Sequence, residues 1–213
     1  RAACVAARPD PEALAARLFE WELHSQWETF YGAAAVYADV LGEWGLAAYR
    51  RLAEEVWSRV PFVGPGEDRE SSTFRFNVTH MVETLAELSG DLDALVAVKA
   101  RDLSSAYHFV KIAELYREAG RHDEALAWAE RGVVAYPERT DVRLREVLAD
   151  GYHHRGRHDE AVALMWSAFT DRPTLDSYQR LQAHAERAAD WDAWRAKALD
   201  LMRQTTAPAA GDG

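Results

Sequence analysis

The chain has 213 residues, 48% of them hydrophobic, 28% charged and 11% aromatic, a composition that can bury a sizeable core and excludes disorder as its general state. Acids outnumber bases by 35 to 25, and the first hundred residues alone carry 16 acids against nine bases, so neither half offers the clustered Lys and Arg of a large phosphate-binding face. Cys4 is the only cysteine, which excludes an intramolecular disulfide or a thiolate-based zinc site in this chain, and no stretch reaches the roughly 20 apolar residues that span a membrane. A cytoplasmic setting is expected. The chain opens on Arg1, not Met, and reads as a piece of a longer protein whose upstream segment would hold any activity.

Asp10-Pro11-Glu12 predicts a helix start, with Asp10 as cap and Pro11 preset for the first helical position. Leu14, Leu18 and Trp21 then share a face at i, i+4 and i+7. Tyr37, Val40, Leu41 and Trp44 form a second apolar stripe around Gly42, and Leu46, Tyr49, Leu52 and Val56 form a third. No sustained period-2 alternation favours strands. The Pro- and Gly-punctuated segment Val60 to Ser72 reads as the one extended loop or linker. It lacks the Lys-Ser or Lys-Thr of a phosphate loop, since Glu67 and Asp68 follow Gly66 and would repel phosphate. Beyond it, Val78, Met81, Val82, Leu85 and Leu88 restore helical spacing up to Gly90, a C-cap, and Asp91 and Asp93 open a helix through Leu95 and Val98.

From Ser104 the pattern becomes pairs of helices. Gly120-Arg121-His122-Asp123-Glu124-Ala125 returns unchanged 36 positions later as Gly156-Arg157-His158-Asp159-Glu160-Ala161, and Pro137 and Pro173 keep the same offset. Phe109, Ile112, Ala113 and Tyr116 face the core ahead of the first block; Ala125, Trp128, Ala129 and Val133 follow it. Leu148, Ala149 and Tyr152, then Ala161, Met165, Ala168 and Phe169, repeat the plan. A degenerate third copy runs through Leu175, Tyr178, Leu181 and Ala185, then Trp191, Trp194, Ala198 and Leu201. The expected fold is all-α, with a helical segment over 1–60, a loop or linker over 61–73, a helical hairpin over 74–103 and repeats over 104–137, 138–173 and 174–205.

Tyr116, Gly120, Ala125 and Pro137, and again Tyr152, Gly156, Ala161, Ala168 and Pro173, resemble the tetratricopeptide repeat, which sets Tyr, Gly, Ala and Pro at fixed offsets over about 34 residues. The resemblance covers 104–173 well and 174–203 weakly. It implies antiparallel helix hairpins stacked as a right-handed solenoid, and a protein- or peptide-binding groove. The unit departs from the pattern in being two residues longer, in carrying Arg145 at an aromatic position and in carrying Gly132 at a small packing Ala. The whole chain also resembles an uncharacterised bacterial family in which such a helical region follows a SWIM zinc finger. That likeness rests on Ala100 to Ser105, on the two repeated blocks, on Trp27 to Tyr31 and on Tyr37 to Gly42. The finger is not in this chain, and the resemblance implies no known reaction.

His153, His154 and His158 with Asp159 have the residue types of a metal site, but Gly156 interrupts the helix between them, and a structural role is preferred. Asp123-Glu124 and Asp159-Glu160 sit at helix starts, where the helix dipole favours acids without any substrate. Ser71-Ser72 and Ser104-Ser105 read as helix caps, and no Gly-x-Ser-x-Gly elbow occurs. Trp21, Trp27, Phe30 and Tyr31 read as core. One surface pattern suggests function: Tyr107, Val110, Glu114 and Arg117 form a stripe apart from the core stripe of their helix, and Arg143, Glu146, Asp150 and His153 repeat it 36 positions on. The resemblance places these positions in the concave groove, as a mixed, acid-leaning binding surface without the Lys and Asn of a carboxylate clamp. The expected function is a non-enzymatic scaffold for a protein or peptide, with no cofactor, no metal, and neither nucleic acid nor membrane as partner of this region. The alternative is a metal-dependent or hydrolytic enzyme with a pocket near His24, His80 or His108.

Overall fold

The computed structural model describes residues 2–7, 9–25, 30–68, 72–137 and 141–206. These form helices α1 (Ala2–Ala7), α2 (Pro11–His24), α3 (Ala33–Val36), α4 (Ala38–Trp57), α5 (Thr73–Ser89), α6 (Leu92–Lys99), α7 (Ala106–Glu118), α8 (His122–Ala135), α9 (Val142–His154), α10 (His158–Asp171), α11 (Leu175–Arg187) and α12 (Trp191–Thr206), with no strand among the described residues. The chain divides into two compact units, Arg1–Ser104 and Ser105–Gly213.

In the first unit α2 lies along α4, and α5 packs on both and on α6. Asp10 caps α2 by accepting from Ala13 N at 2.8 Å with Pro11 at the first position, and Gly90 ends α5 in the left-handed region. Leu14, Leu18, Phe19, Leu41, Tyr49, Val78, Met81 and Leu85 fill the core. Glu22 is buried among them and ties three elements together: it accepts from Gly32 N at 2.8 Å, Ala33 N at 3.1 Å and the Tyr49 hydroxyl at 2.5 Å. Burial beside this carboxylate pushes the Tyr49 phenol far above its ordinary range. Asn77 donates to Glu22 O, Leu23 O and Ser25 O at 3.0–3.1 Å and so satisfies the open carbonyls at the end of α2.

Several aromatic and apolar residues expected in the core face outward. Trp21 and Tyr31 are exposed, Leu88 is exposed, and Trp44 is 77% exposed. Helical spacing shows that residues share a face, but Gly42 (φ 58°, ψ −168°) kinks α4 between Leu41 and Trp44, so the stripe does not continue across it. Trp21 is covered in part by Phe30 and by the Arg17 guanidinium. Trp27 lies outside the described residues. The segment read as a loop or linker is stitched to the end of its own unit. Val63 N donates to Arg101 O at 2.9 Å, Leu103 N donates to Val63 O at 2.8 Å, and Arg101 Nε donates to Val60 O.

In the second unit each helix from α7 to α12 packs on the next, and α7 also runs against α9. The two copies of the Gly-Arg-His-Asp-Glu-Ala block make the same joint. Gly120 and Gly156 sit at φ 73° and 72°, and the following Arg N–H reaches back to Tyr116 O and Tyr152 O at 2.8 Å each, which closes the helix end. The block's Arg then lies over that Tyr ring, at 4.7 Å for Arg121 and 4.3 Å for Arg157, and pairs with the Glu three residues on. A third joint repeats the backbone without the residues: Ala189 takes φ 56°, and Asp190 N donates to Ala185 O at 3.0 Å. Ala189 follows Gly156 by 33 positions, so the third copy is shorter than the 36-residue spacing of the first two. Leu175, assigned to its packing face, is 73% exposed.

Candidate functional site

The candidate face is built from α7, α9 and α11. α7 and α9 bring the two stripes of the sequence side by side. Tyr107 is half-exposed, with the Lys111 ammonium at 5.6 Å and the Arg143 guanidinium at 5.5 Å from its ring centre. Arg143 also grips Asp141 through Nε and Nη2 at 3.1 and 2.8 Å, and this pairing holds the Asp141 carboxyl below its usual range. Lys111 donates to Glu114 at 2.9 Å. Asp150 accepts from Arg187 at 2.5 Å and faces Arg117 at 3.6 Å; Glu146 pairs with Arg180, which also holds Asp176 at 2.9 Å.

Glu114, Arg117, Arg143, Glu146 and Asp150 are thus partly exposed members of separate ion-pair groups along this face, with Tyr107 at one end. Val110 is fully buried and His153 is 6% exposed, so these two of the eight stripe residues belong to the interior. The acid lean of the stripe is offset by Arg180 and Arg187, which the sequence reading missed. Carrying the α9 stripe forward by 36 positions lands on Gln179, Gln182, Glu186 and Ala189, and by the 33 positions of the contracted third copy on Asp176, Gln179, Ala183 and Glu186, so neither count reaches Arg180 or Arg187.

At the end of this face three imidazoles form a chain. His153 Nδ1 lies 2.7 Å from His158 Nδ1, and His153 Nε2 lies 3.1 Å from His184 Nδ1. His153 and His184 are buried. Burial first, and then the charge of Arg187, brings the His153 pKa down from 6.5 to about 4, against a smaller opposing pull from Asp150; burial likewise lowers His184. His154 turns the other way and stacks on His122 at 3.8 Å. The metal hypothesis for His153, His154 and His158 therefore meets a divided set, and among the described residues no group of three or more His, Cys, Asp or Glu could hold a metal ion.

The residues of the alternative enzyme reading have local partners. His24 pairs with Glu20 at 3.3 Å on the surface of α2. His80 stacks on Tyr31 with its buried Nδ1 3.6 Å from Glu22, and His108 meets the edge of Tyr107. The paired acids Asp123-Glu124 and Asp159-Glu160 occupy first helical turns. Ser72 caps α5 by accepting from Arg75 N, whereas Ser104 Oγ donates to Asp102 and Ser105 caps α7 without a side-chain bond. Ser71 lies outside the described residues. No described helix is long and apolar enough to cross a membrane.

The fold and this face define an all-α protein whose second unit carries a polar network across alternate helices. The chain belongs to a family of unknown function, DUF6880, which it matches over residues 2–210. No curated protein matches it.

Proposed function

We propose that the chain is a non-enzymatic scaffold that binds a protein or peptide along the face shared by α7, α9 and α11. In this reading the second unit is a stack of tetratricopeptide-like hairpins forming a right-handed solenoid, and the chain serves as the accessory region of a larger cytoplasmic bacterial protein. The observation that carries it is the meeting of the two sequence stripes, with half-exposed Tyr107 set between Lys111 and Arg143. An exposed aromatic ring held by two cations offers a rigid anchor, and such anchors dominate binding energy in interfaces. The ion pairs beside it fix their side chains in advance, which lowers the entropy lost when a partner arrives.

Selection of displayed peptides against the full chain tests the proposal. Peptides of mixed charge are expected to be enriched, and Tyr107→Ala is expected to weaken them at least about tenfold, roughly 1.4 kcal/mol, with an unchanged melting temperature. Binders that ignore both Tyr107→Ala and Arg143→Glu would move the site off this face.

A further inference from the structure

On the face shared by α7, α9 and α11 the acids lie low and the cations stand over them. The Lys111 side chain is 42% exposed beside a Glu114 that is 18% exposed, and Arg143 is 40% exposed beside an Asp141 that is 23% exposed. Arg117 and Arg187 likewise reach further out than the Asp150 carboxylate between them. We propose, on the strength of the binding reading above, that this face receives a peptide segment carrying two acidic side chains at i and i+3. One is held by Lys111 and Arg143, the other by Arg117 and Arg187.

These cations have donors to spare. Arg143 gives Nε and Nη2 to Asp141, which leaves Nη1 without a hydrogen-bond partner among the described residues. Lys111 gives one N–H to Glu114, and an ammonium carries more than one. Arg187 reaches Asp150 through Nη1, while Arg117 stands 3.6 Å from the same carboxylate, too far for a hydrogen bond. A single carboxylate thus serves two guanidinium groups and leaves a net positive charge there. Unspent guanidinium donors match a carboxylate best, because its two oxygens accept a pair of them side by side.

The helices set the spacing. Lys111 and Arg117 are six positions apart on α7, and Arg143 and Asp150 are seven apart on α9. At about 1.5 Å of rise per residue, the two cation sets lie about 9–10 Å apart along either helix. Contacts across the seam keep the helices in step, since Arg143 meets Tyr107 at one end and Arg117 meets Asp150 at the other. An extended peptide advances about 3.3 Å per residue, so about three residues cover that distance.

The interval between the cation sets is acidic. Glu114 of α7 lies there, held by Lys111, and so does Glu146 of α9, held by Arg180. Arg180 also holds the exposed Asp176 of α11. Acids at the two middle positions of the peptide would meet these carboxylates, and the net charge of −10 repels any acidic run as a whole. The face therefore selects the spacing of two acids and not acidity in general. Basic residues suit the middle positions, which gives the partner its mixed charge.

Two nine-residue peptides of identical composition test this by NMR titration of the full chain: Ser-Gly-Leu-Glu-Lys-Lys-Glu-Ser-Gly, and the same peptide with Lys-Glu-Glu-Lys at its centre. Acetylated and amidated ends keep a terminal carboxylate from standing in for a side chain. The Glu-Lys-Lys-Glu peptide is expected to bind at least about tenfold tighter, with shift changes on α7, α9 and α11. Arg117→Gln should remove most of that preference, and Arg203→Gln, on α12, should preserve it. The comparison of the two peptides on the wild type decides the matter even if Arg117→Gln fails to fold. Equal binding of the two peptides, tighter binding of the inverted one, or binding of neither overturns the proposal. Displayed peptides that depend on Tyr107 but lack the spaced acids would overturn it too, and would leave the binding reading standing.

Discussion

Leu144 Cδ2 lies 2.6 Å from the point that a Cβ on Gly132 would occupy, and Phe109 Cβ lies 2.8 Å from it. Gly132 is thus the point where α8 approaches both α7 and α9, and a methyl group there would collide with two core side chains. Helix propensity alone favours Gly132→Ala by about 1 kcal/mol. Overpacking of a filled core costs about 1–3 kcal/mol and should win. Urea unfolding is expected to show a net loss of up to about 2 kcal/mol in Gly132→Ala; a gain would mean that the helices part at no cost.

Ala189 presents the opposite case. It holds a left-handed conformation at the third joint, where the first two joints use Gly120 and Gly156. A left-handed L-residue costs about 1–2 kcal/mol, and the greater freedom of glycine in the unfolded chain returns part of that. Ala189→Gly should therefore stabilise the second unit by about 0.5–1 kcal/mol, seen as a higher midpoint in thermal unfolding. No change or a decrease would show that this joint carries no strain.

In the first unit, Tyr49→Phe removes one donor from a buried carboxylate that keeps two backbone donors. A hydrogen bond to a charged group contributes about 1.5–3 kcal/mol, and the variant should lose that much. Glu22→Gln should lose more, because its amide nitrogen takes the place of one of two oxygens that each accept a backbone N–H, from Gly32 or from Ala33, and sets donor against donor there. Equilibrium unfolding of the two variants, measured side by side, checks the order.

The pH dependence of stability has a definite sign. His153 binds a proton at a pKa of about 4 when folded and near 6.5 when unfolded. Between these values the unfolded chain holds the proton and the folded chain does not, so stability present above pH 6.5 is lost as pH falls toward 4. The loss from this residue is at most about 3 kcal/mol at one pKa unit per 1.36 kcal/mol. A His153→Gln variant, compared with wild type by urea unfolding at pH 7 and pH 4.5, should show a smaller drop than the wild type.

Much of the second unit was legible because its joints are built from local chemistry. A Gly that accepts positive φ, an Arg that reaches the Tyr before it and a Glu three residues on are written in consecutive positions. Faces were harder to read. Spacing grouped Trp44 with Leu41, but the Gly42 kink that separates them is a matter of dihedral angles, not of hydrophobicity. Val110 and His153 were placed on the stripe by their spacing, yet both are buried. The buried role of Glu22 had no local signature at all, since its partners Gly32, Ala33 and Tyr49 come from 10, 11 and 27 positions away. Likewise, neither the 36-residue spacing nor its contraction to 33 points to Arg180 and Arg187, whose partners Glu146 and Asp150 lie 34 and 37 positions away.

Asn77 is the one asparagine of the chain, and its amide donates to three carbonyls at the end of α2. Hydrolysis of that amide to a carboxylate would replace two donor hydrogens with a negative charge aimed at three oxygens. Asparagine deamidation thus has a single address in this chain, and its burial there keeps water from a side chain whose loss would turn a helix cap into a repulsion.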